Sequence, residues 1–214
     1  MKKIVTKGIA ILALGLAFTA CKNDTKTAET SEAKVVEVVS ETLDFKVDNS
    51  SLLIWRANKI VGGHEGTFNV AKGTAQIKDN ALVGGIFMFD IASIKCTDIP
   101  VEEKGNAKLV SHLLNEDFFD VEKFPNAKFE ITTVEASKVS GNLTLKGVTK
   151  NVSFSAKVVV NNDMVNITSD TFTIDRTEWN INHNSGKIMD AAKLGDYLIK
   201  DNVELKINVT AKKA

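Results

Sequence analysis

Three histidines and two cysteines are the side chains of this chain best suited to metal binding or nucleophilic chemistry. His64, His112 and His183 lie far apart, and none shows the closely spaced ligand pairs of familiar metal motifs. Cys96 has no neighbouring sign of an activated thiol, no serine lies in a glycine-flanked elbow, and no glycine-rich loop precedes a helix. The sequence therefore predicts no catalytic residue, no metal site and no cofactor, although groups on distant strands can still meet in space.

Cys21 has a context that indicates lipidation. A basic opening, residues 1–7, precedes an uncharged apolar run over residues 8–20, as in a secretory signal peptide. At about 1.5 Å per residue this run covers roughly 20 Å, which is short for a membrane core of about 30 Å. The last four residues, Phe-Thr-Ala-Cys, resemble a bacterial lipoprotein box. We therefore expect residues 1–20 to be a cleaved signal peptide and Cys21 to carry an acyl anchor; the alternative is an ordinary signal peptide with a chance cysteine.

The segment after the anchor is polar, and we expect residues 21–43 to form a flexible tether, with Val35–Val39 as its one apolar stretch. Loss of three lysines with the signal peptide leaves 24 basic and 27 acidic residues, a net charge of −3. Without a basic run, nothing indicates nucleic acid as a partner. The predicted location is the cell envelope, with membrane attachment through Cys21. Lys22, in place of the Asp that holds some lipoproteins at the inner membrane, favours the outer membrane.

Alternating strands dominate the predicted domain, residues 44–214. Apolar and polar side chains alternate in many short runs, which gives each strand one buried and one wet face and is typical of antiparallel sheets. The clearest runs are 129–132, 143–146, 152–158 and 203–210. Short gaps bearing Asn, Asp or Gly separate such runs and predict hairpin loops at 78–80, 146–149 and 161–163. About eight or nine closely spaced strands predict an all-β sandwich or barrel.

One long interruption, residues 98–126, separates the strands into two groups. Within it Asn106 is the predicted cap of a short helix, with Leu109, His112 and Leu113 on one face. The sequence leaves open whether this insertion lies across an open end of a barrel or packs on its outer wall.

A series of short motifs resembles the YceI-like family over residues 45–213. The matching stretches are 55–59, 63–68, 84–85, His112-Leu113, Asp117-Phe118-Phe119-Asp120, Phe124-Pro125, 141–149, 174–176 and Trp179. The resemblance implies a lipocalin-like antiparallel β-barrel whose long tubular pocket holds a polyisoprenoid chain, and a family without established catalytic residues. It also implies an export destination, which agrees with the predicted signal peptide.

Aromatic residues on the apolar faces of strands are the candidate ligand-binding residues. A barrel of about eight strands either fills with side chains or holds one small ligand, and the resemblance favours a hollow interior. The candidates are Trp55, Phe68, Phe87, Phe119, Phe129, Phe154, Phe172 and Trp179. We expect the function to be binding of a long apolar lipid without chemistry. The alternatives are an enzyme acting on a lipid or envelope substrate in the same cavity, and an envelope scaffold with a solid core.

Overall fold

A computed structural model describes residues 26–214, and the predictions for the signal peptide and for Cys21 lie outside these residues. The described chain is rich in strands and contains two α-helices and two short 3-10 turns. The strands are β1 (Lys26–Thr27), β2 (Glu29–Glu32), β3 (Leu43–Val47), β4 (Leu52–Lys59), β5 (Gly63–Lys78), β6 (Ala81–Cys96), β7 (Asn126–Glu135), β8 (Lys138–Leu145), β9 (Val148–Asn161), β10 (Met164–Ser169), β11 (Phe172–Asp175) and β12 (Ile199–Lys213). The helices are α1 (Lys104–Leu114) and α2 (Ala191–Leu194), and the 3-10 turns are Arg176–Trp179 and Gly195–Tyr197.

Eight antiparallel strands form a closed ring. Its order is β4-β5-β6-β7-β8-β9-β10-β12, and pairing of β12 with β4 closes it. Closure leaves no free edge within the ring, and the alternating side chains point either into its interior or towards solvent. The predicted lipocalin-like, all-β architecture of about eight strands is confirmed.

Two members of the ring are interrupted strands held by serine hydroxyls. β3 and β4 both pair with β5 and β12, on either side of a break at residues 48–51. At this break the Ser51 hydroxyl donates to the Thr210 carbonyl at 3.1 Å and accepts from the Thr210 N–H at 3.0 Å. β10 and β11 pair with β12 in the same way, and the Ser169 hydroxyl accepts from the Ile207 N–H at 2.8 Å. These bonds keep β12 continuous where its neighbours break.

Tight hairpins join most successive strands, as the polar gaps predict. Asp79 and Asn80, between β5 and β6, have φ values of 49° and 62°. Lys146 and Gly147, between β8 and β9, have φ values of 47° and 77°. Two consecutive positive φ values are typical of the two-residue turns that match the twist of a hairpin.

The start of the described chain is ordered against the ring, which corrects the expectation of a wholly flexible tether over residues 21–43. β1 pairs in parallel with β11, and β2 pairs antiparallel with β9. The Asn142 side chain accepts from the Lys34 N–H at 2.9 Å and donates to the Lys34 carbonyl at 2.6 Å. Polar composition concealed this pairing because its partners are main-chain groups. The apolar stretch Val35–Val39 forms no strand.

The insertion carries helix α1 and covers the interior of the ring. Leu113 of α1 is buried and faces the same cavity as the inward side chains of the strands, so the helix lies over the interior and not on an outer wall. The predicted cap was wrong: Glu103 occupies the cap position, and Asn106 lies inside the first turn. Its buried amide donates to the carbonyls of Ile99 at 2.7 Å and Cys96 at 3.2 Å, which joins α1 to the end of β6. Neither α-helix between residues 26 and 214 combines the length and apolarity needed to cross a membrane.

Candidate ligand-binding cavity

The ring encloses a hollow apolar space. About 1040 Å³ lies between the lining atoms, including solvent at the opening, and about 130 Å³ can hold the centre of a water molecule. By the latter measure a single water needs about 10–15 Å³, so the space is far larger than a packing defect. Twenty-four residues line it, and Arg176 is the one charged residue among them. The interior is therefore suited to an apolar ligand.

Six of the eight predicted ligand-binding residues line this cavity. They are Trp55, Phe68, Phe119, Phe129, Phe154 and Phe172. Phe154 and Phe172 stack with ring centroids 4.4 Å apart, and Phe129 packs on Phe154 at 5.5 Å. These three rings form one continuous aromatic wall on β7, β9 and β11.

The other two predicted residues, Phe87 and Trp179, are buried away from the lining. Phe87 lies on β6 two residues before the lining residue Phe89 and packs over Gly73, where an added Cβ would lie 3.0 Å from its ring. Trp179 is fully buried, and its indole N–H donates to the Leu143 carbonyl at 3.1 Å. The alternation of apolar residues along a strand shows which side chains point into the ring, but it does not show how far the open space extends, so it could not exclude Phe87. Trp179 lies in a 3-10 turn, where this alternation does not apply.

Several lining residues were not predicted. Phe89 and Phe118 are aromatic, and the aliphatic members include Ile91, Leu113 and Leu205. Phe89 shares the apolar phase of β6 with Phe87, so the sequence contained the signal for that face. Phe118 lies in the insertion, whose position over the interior the sequence left open.

Trp55 lines the cavity with its ring and has a polar atom that is buried. It pairs with Gly66 across β4 and β5, where an added Cβ would lie 2.7 Å from its ring, so only glycine permits the packing. The Trp55 Nε1 is buried and has no hydrogen-bond partner among the described residues. A buried, unpaired donor costs about 1–3 kcal/mol of stability.

Arg176 ties together the chain segments at one end of the cavity. Its guanidinium is buried and donates to the carbonyls of Ile181 at 2.5 Å, Ile199 at 3.0 Å and Lys200 at 3.3 Å. Burial lowers the pKa of this guanidinium, while Asp201 at 3.5 Å opposes the shift. The guanidinium thus joins three carbonyls of two separate chain segments.

Two histidines that are remote in sequence meet beside the insertion. His112 Nε2 lies 3.0 Å from Asp117 Oδ2, and His183 Nδ1 lies 3.7 Å from the same oxygen. The His112 hydrogen bond lowers the pKa of the Asp117 carboxyl, and burial lowers the pKa of the His183 imidazole. Both imidazoles contact the ring of Phe118, at centroid distances of 5.0 and 5.1 Å. Since Phe118 lines the cavity, this cluster is one aromatic ring away from the ligand space.

A second cluster joins the start of β5 to the end of β6. Asp98 accepts from the Glu65 N–H at 2.9 Å and the Cys96 thiol at 3.2 Å through one oxygen, and contacts His64 Nδ1 at 2.9 Å through the other. Burial alone would raise the pKa of Asp98, but these hydrogen bonds lower it to about 2. Burial raises the pKa of the Cys96 thiol. The arrangement holds a protonated thiol against a carboxylate, which is a structural contact.

A closed antiparallel ring with a hollow apolar interior and a helix over that interior defines a lipocalin-like binding fold. The profile of the YceI-like domain matches residues 26–211, so the chain belongs to the YceI-like family. The match begins at β1, which agrees with the pairing of the first described residues with the ring.

Individual proteins are similar to this chain in sequence, at identities between 31% and 37%. A UPF0312 protein of Staphylococcus aureus (strain bovine RF122) is 31% identical over 132 residues, which are 58% of this chain and 77% of that protein. A UPF0312 protein of Pseudomonas putida (strain F1) is 37% identical over 83 residues, 34% of this chain and 43% of the relative. The chain thus spans less than half of the length of the Pseudomonas relative.

Two solved structures share the fold. Burkholderia cenocepacia BcnA superposes with a TM-score of 0.57 at 22% identity, over 77% of this chain and 99% of that chain. A polyisoprenoid-binding domain from Saccharophagus degradans superposes with a TM-score of 0.57 at 13% identity, over 80% and 99%.

Proposed function

We propose that this protein binds a long apolar lipid, a polyisoprenoid, inside the ring, and carries or sequesters it in the cell envelope without chemical conversion. The observation that carries the proposal is the hollow interior with its apolar lining. The polyisoprenoid-binding domain of Saccharophagus degradans, which shares the fold, supports the class of ligand.

The energy of burial favours long chains of five-carbon units over short ones. Each buried methylene contributes about 0.8 kcal/mol, so one such unit contributes roughly 4 kcal/mol. Immobilising the ligand costs about 4–15 kcal/mol. Burial of two units contributes only about 8 kcal/mol, whereas burial of six contributes about 24 kcal/mol and exceeds this cost. We therefore expect long chains to survive purification and short terpenes to be lost.

Lipid content of cavity variants tests this proposal. Phe68→Trp and Phe154→Trp each enlarge a lining side chain, and each should reduce the lipid recovered per protein severalfold because the larger ring occupies ligand space. Lys157→Trp is the matched control, since Lys157 is exposed on the outer face of the same strand as Phe154. Mass spectrometry of organic extracts gives the lipid content, and circular dichroism verifies the fold.

The outcome separates this proposal from its two alternatives. A single lipid in near-stoichiometric amount, reduced in the two lining variants alone, supports binding. A related substrate and product together would favour an enzyme acting in the cavity. If the parent protein contains no lipid after expression in a host rich in isoprenoids, the lipid-binding hypothesis is refuted. The envelope scaffold with a solid core is then the remaining hypothesis.

We further propose that the protein is anchored in the envelope, preferably at the outer membrane, by an acylated Cys21. The support is the lipoprotein-like box and the signal-like residues before it. Acyl chains at this position would hold the domain at a membrane surface, because one or two chains decide between transient and lasting attachment. Anchoring favours exchange of lipid with that membrane over long-range transport.

Replacement of the anchoring cysteine tests the attachment. Cys21→Ser removes the thiol that would be acylated, so the variant should move from the detergent phase to the aqueous phase in a detergent phase separation. Cys96→Ser is the control, because Cys96 is buried in the domain and should not affect partitioning. Equal partitioning of Cys21→Ser and the parent would contradict the anchor.

A further inference from the structure

Three side chains beside the insertion have the geometry of a metal centre. His112 lies in α1, and Asp117 lies in the loop after it. His183 lies between the 3-10 turn Arg176–Trp179 and α2. In a tetrahedral site with ligands about 2.0–2.2 Å from zinc, the ligand atoms lie about 3.3–3.6 Å apart. The two distances to Asp117 Oδ2, 3.0 and 3.7 Å, bracket this range, and all three ligand atoms lie within 4.8 Å of one another.

We propose that His112, Asp117 and His183 bind a divalent transition-metal ion of the zinc class. Two imidazoles and one carboxylate are a donor set that such ions use when a further position stays open for water or a ligand oxygen. The site lies outside the apolar cavity and is separated from it by the ring of Phe118. The bound metal would connect the insertion to the 180–190 segment.

The protonation states of the cluster agree with metal binding. Coordination requires neutral imidazoles and an ionised carboxylate. Burial lowers the pKa of the His183 imidazole, which favours its neutral form. The hydrogen bond to His112 lowers the pKa of the Asp117 carboxyl, which favours its ionised form. Side-chain exposure of 40% for His112, 46% for Asp117 and 27% for His183 leaves the ligand atoms a route to solvent.

The cluster formed by His64, Cys96 and Asp98 is the weaker candidate and a useful control. There, one Asp98 oxygen already accepts a main-chain N–H and the thiol, so a metal would have to displace both bonds. Burial raises the pKa of Cys96, which disfavours the thiolate that a metal needs. At Asp117, by contrast, no main-chain N–H of the described residues donates to the ligand oxygen.

Titration of the purified full-length protein with Zn²⁺, after treatment with a chelator, tests the site. We expect one equivalent to bind, and Co²⁺ to give the visible absorption of a four- or five-coordinate centre. His112→Ala and His183→Ala should each weaken Zn²⁺ binding by at least about tenfold, the loss that even outer partners of metal ligands can cause. His64→Ala should leave the affinity unchanged, because His64 belongs to the other cluster.

Asp117→Asn keeps the proposal testable if the alanine variants unfold. Asparagine retains the shape of Asp117 and an oxygen that accepts from His112, so a purely structural contact would tolerate it. A metal ligand would lose its charge, and Zn²⁺ affinity should fall at least about tenfold while the melting temperature in chelator stays unchanged. Equal Zn²⁺ affinity in the parent and Asp117→Asn, or a loss confined to His64→Ala, would overturn the assignment.

Discussion

At the scale of single residues, Arg176 shows why a side chain's surroundings decide its role more than its type. From the sequence, an arginine after a strand is expected to face solvent. In the structure the 3-10 turn aims it inward, and its planar fork of donors reaches the carbonyls of Ile181, Ile199 and Lys200. A guanidinium is suited to this because it presents five donors in a fixed geometry. Arg176 therefore sets the path of the segment that carries His183.

Removing this guanidinium should destabilise the fold strongly. Arg176→Met leaves buried carbonyls and Asp201 without their donor, so we expect the free energy of unfolding to fall by about 2–5 kcal/mol in urea titrations. Arg56→Met is the matched control, because Arg56 is 56% exposed and pairs with Glu65 on the surface. Such surface pairs contribute at most about 1 kcal/mol. An equal loss in the two variants would show that the contacts of Arg176 are not stabilising.

At the scale of elements, the first two strands pair with the sheet next to the point where β10 ends. β10 ends at Ser169, and β11 pairs with β12 but not with β9. β1 then pairs with β11 and β2 with β9, so residues 26–32 join the two strands that the break separates. Both flanking strands carry cavity-lining residues, Phe172 on β11 and Phe154 on β9. The first described segment is thus part of the sheet around the cavity, although none of its residues lines the cavity.

Hydrogen exchange should report this pairing residue by residue. Asn142 holds the main chain of Lys34 through two hydrogen bonds and is itself braced by Asn151 at 3.1 Å. In Asn142→Ala we expect the amides of β2 and Lys34 to exchange at least tenfold faster than in the parent, since the segment loses its C-terminal attachment. Lys138→Ser removes only an exposed ion pair with Glu29 and should change exchange little. Rapid exchange of β2 in the parent itself would show that the segment is not held.

The sequence predicted the repeating elements well and the joining elements poorly, for a physical reason. Strand phase depends on side chains within one segment, so the alternation of β12 and the turn at Asp79-Asn80 were readable locally. The pairing of β2 depends on main-chain groups of β9, and the burial of Asn106 inside α1 depends on the carbonyl of Ile99, neither of which leaves a local pattern. The same holds for the meeting of His112 with His183. Their separation of 71 positions hides a contact that only the folded insertion creates.

At the scale of the whole molecule, the closed ring can be stable without a tightly packed interior. Closure satisfies the main-chain groups of the strands by pairing around the ring, without a requirement that the centre be filled. The hydrophobic core contains every lining residue except Arg176, and also residues outside the lining such as Phe45, Ala75 and Ile77. A hollow centre lacks dispersion contacts and is therefore a source of instability that a bound lipid can relieve. A side chain that fills this centre should therefore stabilise the lipid-free protein and reduce lipid binding, because both occupy the same volume.

Filling the cavity with a side chain should expose this competition. Ala127 lines the cavity opposite Phe89, so Ala127→Leu adds three carbons to open space, and we expect delipidated protein to gain up to about 2 kcal/mol in unfolding free energy while bound lipid falls. Ala75→Leu is the control, because Ala75 is fully buried outside the lining and an enlarged side chain there should cost about 1–3 kcal/mol. Urea unfolding and lipid analysis measure both effects. If Ala127→Leu destabilises the protein as much as Ala75→Leu, the interior is packed solid in solution, and the lipid-binding proposal fails with it.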